Sequence, residues 1–86
     1  MNRQDILNEI LVAIQEVSPI GSDLLIENHP KPDTCFVDYG VNSIDYAYVT
    51  TLVMEKLGID RPLDDFIHTN RIFGVVDMLA GDLQVA

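Results

Sequence analysis

Fourteen acids against five bases give this 86-residue chain a formal charge of −9, and 48% of its side chains are apolar, the balance of a folded domain rather than a disordered tail. That balance excludes DNA, RNA and an anionic membrane as partners, since each needs clustered Lys and Arg. The length allows a single domain, residues 1–86, with too little core to enclose a deep catalytic cavity as well. A lone cysteine, Cys35, precludes an internal disulfide and fits a reducing cytoplasm, and no apolar run approaches the ~18 residues that span a bilayer. Asp5 and Glu9 fall where a secretory signal would be apolar. The expectation is a soluble, cytoplasmic monomer.

Residues 2–17 read as an amphipathic helix, because Ile6, Ile10, Ile14 and Val17 recur at three-to-four-residue spacing with Leu7 and Leu11 beside them. Ser18-Pro19 ends the pattern, since proline restricts the residue before it and cannot extend the ladder. The next stretch, PIGSDLLIENHPKPDTCFVDYG, carries prolines in HPKP and glycines near both ends. It reads as one long ordered loop with a short helical turn at 24–27, pinned to the core by Leu24, Leu25, Phe36 and Val37.

A second helix is predicted over 43–57, with Asn42 and Ser43 as capping candidates, Asp45 in its first turn and Gly58 as its stop. Its apolar stripe, through Ile44, Ala47, Tyr48, Thr51, Leu52, Met54 and Glu55, is broad rather than sharp. After IDRP, residues 63–67 suit a single helical turn. A last helix is predicted over 70–79, with Thr69 or Asn70 as cap and Gly81 as terminator. Ile72, Phe73, Val75, Val76 and Leu79 face inward in that reading. With no strand alternation and no internal repeat, the expected fold class is all-α, three main helices plus one short helix and a long first loop.

Little in this pattern suits catalysis. His29, Cys35 and His68 match no zinc framework, and no metal site is expected. Asp64 and Asp65 open a short helical turn, where adjacent acids serve the helix dipole and point different ways. No phosphate-cradling glycine loop or calcium loop is present. Ser43 differs. Alone it reads as a helix cap, yet Asn42 already suffices for that, which leaves the hydroxyl spare at the positive end of the helix. Unpaired N–H groups there favour an attached or approaching phosphate, and Gly40 lets the backbone turn sharply and clears the approach.

DYGVNSID, residues 38–45, resembles the D-x-G-x-[DN]-S-[LI]-[DE] signature of acyl carrier proteins, and the order of elements around it fits that family over most of the chain. The resemblance implies a small acidic four-helix bundle and no catalysis of its own. Its signature serine would be esterified by a phosphopantetheinyl transferase, using coenzyme A and magnesium, with a 4′-phosphopantetheine arm whose thiol holds acyl groups as thioesters. On this reading Ser43 carries the arm, while Asp38, Gly40, Asn42, Ile44 and Asp45 frame it. The family docks its enzymes through the second helix. That assigns Asp45, Tyr46, Tyr48, Thr51 and Glu55, with Asp64 and Asp65, to partner binding.

Two departures stand out. Asn42 replaces the aspartate usual in fatty-acid carriers, and Tyr48 stands where an acid is common. An aromatic there implies narrower partner choice with more contact burial, or else packing against the loop. The run NSIDYAYVTTLVMEKLGIDRPLDDF further resembles freestanding carriers of polyketide β-branching cassettes. Those deliver an acetyl unit, made by decarboxylating malonyl, to a hydroxymethylglutaryl-synthase-like enzyme. The expected partners are therefore the transferase together with a ketosynthase, an acyltransferase or that synthase-like enzyme. Polyketide, antibiotic and fatty-acid pathways all fit the pattern. An aminoacyl carrier of a peptide synthetase and an unmodified acidic interaction module stand beside these readings.

Overall fold

The first helix starts where the second residue can cap it. In the computed structural model, which describes residues 1–27 and 29–84, helix α1 runs Arg3–Val17. The Asn2 side chain accepts from the Asp5 N–H at 2.9 Å, and the Asp5 carboxylate accepts from the Asn2 N–H at 2.9 Å. Each satisfies an N–H that the helix itself cannot. Ile6, Leu7, Ile10, Ala13 and Ile14 form its buried stripe.

The expected long first loop holds a further helix, α2, Pro19–Glu27. Ser18-Pro19 stops α1 and also starts α2. The Ser18 hydroxyl accepts the Gly21 N–H at 3.2 Å, and Pro19 occupies the first helical position, where its missing N–H is no loss. Gly21 lets α2 lie close, because a methyl group there would stand 2.9 Å from Ile14 Cγ2 and 3.1 Å from the Tyr39 carbonyl. Leu24 and Leu25 pack against the core as expected.

Ahead of the motif, Phe36–Tyr39 forms a 3₁₀ turn that buries Phe36 and Tyr39 but leaves Val37 69% exposed. Val37 therefore does not pin the loop. Three residues per turn place positions three apart on one side, so Phe36 and Tyr39 go in together and Val37 goes out. A two-way backbone bridge ties this loop to the start of the last helix. Phe36 N–H donates to Asn70 O and Ile72 N–H donates to Thr34 O, each at 3.0 Å.

Helix α3 spans Ser43–Leu57 and ends on Gly58 at φ 69°, a left-handed stop that favours glycine. Its buried face differs from the predicted stripe: Val49, Thr50, Val53 and Met54 go in, while Ile44 and Tyr48 are 81% and 60% exposed. The helix is apolar nearly all round, so periodicity alone could not set its phase. A second 3₁₀ turn, Leu63–Phe66, follows and buries Phe66.

Helix α4, Ile72–Leu83, starts later and ends later than expected. Neither Thr69 nor Asn70 caps it. Arg71 holds the capping position with no side-chain bond, and the helix runs through Gly81 to a left-handed end at Gln84. A mid-helix glycine costs about 1 kcal/mol, which packing of Leu83 on the core and the pairing of Asp82 with Arg61 help to offset. The core joins α1, α3 and α4 through Ile6, Ile10, Ile14, Val49, Val53, Ile72, Val75 and Leu79, each at most 1% exposed. The fold is an all-α four-helix bundle whose short member is α2, and no strand occurs among the described residues.

Candidate functional site at the start of α3

Asn42 is extended, at φ −84° and ψ −176°, and caps α3 in two ways. Its side-chain oxygen accepts the Asp45 N–H at 2.8 Å, and its carbonyl accepts the Tyr46 N–H at 2.8 Å. The Ser43 and Ile44 N–H groups stand in the first turn, where the helix ladder supplies no acceptor. The Ser43 side chain is exposed and takes no part in the cap. A nucleophilic oxygen thus sits beside two donors that have no acceptor among the described residues, at the positive end of a 15-residue helix.

The preceding backbone holds this arrangement. Gly40 is left-handed at φ 75°, a conformation side chains resist, and its N–H donates to Val37 O at 3.0 Å. Val41 is buried, and its N–H donates to Phe36 O at 3.3 Å, which fixes the chain just past the glycine. Asp38 accepts the Cys35 N–H at 2.9 Å, so its carboxylate closes the 3₁₀ turn and acts through the shape of the loop. From the far side, the Ser18 hydroxyl donates to the Tyr39 carbonyl at 3.2 Å, so α2 buttresses the same turn.

The predicted partner residues divide among three surfaces. Tyr46 and Asp64 line a groove of about 300 Å³ that starts at Ser43 and runs between α3 and the second 3₁₀ turn. Tyr46 is half-buried rather than outward. Its ring lies 4.7 Å from Phe36 and 6.5 Å, edge-on, from Phe66, and its hydroxyl faces the carbonyls of Phe66 at 3.2 Å and of Thr69. Burial pushes its phenol up to about 12. Tyr48, Thr51 and Glu55 lie on another surface with Ile44 and Leu52, which Asp45 and Glu16 border.

Asp65 belongs to a third place. It pairs at 2.9 Å with Arg61, which also grips Asp82, and that hydrogen bond holds the Asp82 carboxyl below its ordinary range. The hollow around these ion pairs, about 430 Å³, is larger than the groove but contains no nucleophile. Ala47, Thr50, Leu63, Phe66 and Ile67 complete the groove and were not foreseen. Their separation along the chain hides them from any local pattern.

An exposed serine oxygen, two unpaired N–H groups and a glycine turn free of side-chain bulk suit a phosphodiester attached at Ser43. Among the described residues no group of three or more His, Cys, Asp or Glu could hold a metal, and no helix is long and apolar enough to cross a membrane. A protein-family model described as phosphopantetheine attachment site matches residues 8–79. No curated protein and no solved structure matches the chain.

Proposed function

The chain belongs to the phosphopantetheine attachment-site family, whose domains bear a covalent 4′-phosphopantetheine group, and on that premise we propose that it is an acyl carrier modified at Ser43. The observation that carries this reading is the spare hydroxyl: Asn42 alone caps α3, and Ser43 stands exposed beside free N–H groups. When bound, the group supplies a thiol on a flexible arm that keeps a tethered acyl unit at high effective concentration near each partner's active site. The protein's own residues supply presentation. Asn42 and Gly40 fix the direction in which Ser43 leaves the backbone, and the N–H groups of Ser43 and Ile44 favour the phosphate charge.

Partner enzymes read the outer face of α3 in this proposal. Ile44 and Tyr48 form its apolar centre, with Asp45, Glu16 and Glu55 around them. Such a surface complements an enzyme patch with an apolar hollow and a basic rim, and the acids steer encounter more than they add affinity. The finer reading is a polyketide carrier that donates acetyl units for β-branching, and an aromatic centre in place of an acid favours so restricted a partner set. The protein itself catalyses nothing.

The deciding measurement is intact mass after incubation with coenzyme A, magnesium and a promiscuous phosphopantetheinyl transferase. A single phosphopantetheine gain on the native chain and none on Ser43→Ala is expected. No gain, or equal gain on both, ends the carrier reading. The β-branching role fails separately if a hydroxymethylglutaryl-synthase-like enzyme turns over an acetyl-loaded fatty-acid carrier as fast as this one.

A further inference from the structure

One side chain sets the width of the groove beside Ser43. The walls are α3, through Ser43, Tyr46 and Thr50, and the second 3₁₀ turn, through Leu63, Phe66 and Ile67. Tyr46 grips both, because its hydroxyl faces the carbonyls of Phe66 and Thr69 while its backbone belongs to α3. The segment it grips is itself held: Thr69 N–H donates to Phe66 O at 3.1 Å, and Asn70 O accepts the Phe36 N–H at 3.0 Å. Parting the walls would leave a half-buried phenol without acceptors and separate its ring from Phe66. Thr50 has no hydroxyl proton to offer a guest, since that one donor is shared between the Tyr46 and Ala47 carbonyls at 3.0 Å each. The inward residues of α3, Val49 and Val53, are 1% exposed and already packed.

Resting on the carrier reading of Ser43, we infer that Tyr46 bolts α3 to the second 3₁₀ turn and so restricts the cargo to short acyl groups. A long chain stays outside the bundle because entry requires the bolt to break. The groove, about 300 Å³, is shared with whatever part of the arm lies along it. That leaves room for a small acyl unit only at its mouth.

The test charges the native protein and Tyr46→Phe from acetyl-, hexanoyl- and decanoyl-coenzyme A, with intact mass reporting the load and circular dichroism the fold. Tyr46→Leu serves as a second variant that keeps apolar bulk without the hydroxyl. Two quantities are read, the rate at which hydroxylamine releases the acyl group and the thermal midpoint. The native protein is expected to show neither varying with chain length. In the variants the decanoyl chain enters, and burial of as few as two methylenes slows its release about tenfold relative to acetyl. A native protein that already shields decanoyl overturns the inference, and so do folded variants that treat all three chains alike. Loss of the premise is seen elsewhere, as a native chain that gains no mass at all.

Discussion

Capping α3 and presenting a nucleophile fall to two adjacent residues, and exchanging them one at a time separates the tasks. Asn42→Ala removes the acceptor that takes the Asp45 N–H at 2.8 Å. A lost cap of this kind costs about 1 kcal/mol, within a range of roughly 0.5–2. In a domain of this size that lowers the thermal midpoint by about 4–8 °C. Asn42→Asp keeps the acceptor and places a charge at the helix's positive end, so it holds or gains stability by about 0.3–1 kcal/mol at low salt. Ser43→Ala should behave differently from Asn42→Ala. The serine side chain is exposed and makes no cap bond, so its loss stays within about 0.5 kcal/mol of native. Alanine's better helix propensity even pulls towards stability. The assay is thermal unfolding of the four proteins by circular dichroism, alongside transferase labelling. Asn42→Ala should be destabilised yet still labelled, and Ser43→Ala stable yet unlabelled. If Ser43→Ala lost more stability than Asn42→Ala, the hydroxyl would be the true cap and the argument for a spare nucleophile would collapse.

Further expectations follow from the packing and the charges. Gly21→Ala gains about 1 kcal/mol of helix propensity but meets a buried Ile14 methyl and the Tyr39 carbonyl, neither free to yield. Overpacking of about 1–3 kcal/mol wins, so a raised midpoint would show that α2 stands further off. Arg61→Met costs about 0.5–1 kcal/mol at neutral pH, since the pairs are partly exposed. Asp82 is held below its ordinary value, so its contribution is full above the usual carboxylate range and fades as pH falls through its folded pKa. The midpoint gap between native and Arg61→Met should therefore narrow below about pH 4, and a gap that widens there contradicts the pairing. The Tyr46 phenol is raised from 10.0 to about 12, so its contribution holds below pH 10.0 and is lost as pH rises through about 12. Burial, with the Asp38 charge, raises the Tyr39 phenol as well, so absorbance titration should show a late phenolate phase that Tyr46→Phe diminishes.

Local signals sufficed where one residue type had one meaning. Asn42 opened a helix and Gly58 closed it, and α3 spans Ser43–Leu57 as read from those marks. The motif likewise announced a turn and a serine at a helix start. Local signals failed where one dipeptide meant two things. Ser18-Pro19 is both a stop and an N-terminal cap with proline at the first helical position, and reading only the stop hid α2. Gly81 looked like a terminator, but Leu83 had core to reach and carried the helix past it. The phase of α3 was illegible because apolar residues surround it, so only its packing against the core, chiefly on α1, decides that Val49 and Val53 turn in while Ile44 and Tyr48 turn out. The groove was hidden for a related reason. Tyr46 meets Phe66 and Thr69 twenty and more positions away, and no local spacing records such a meeting.

The two backbone bonds that join residues 34–36 to residues 70–72 bear on synthesis. A ribosome that has released the chain only as far as Leu57 has delivered Ser43 and every other letter of the motif, yet not the strap that steadies the loop ahead of it. A transferase arriving then would meet the serine on unfinished footing. The arm proposed for Ser43 is thus expected to be attached once the final helix has emerged, and chains truncated before residue 70 are expected to label more slowly than the full chain.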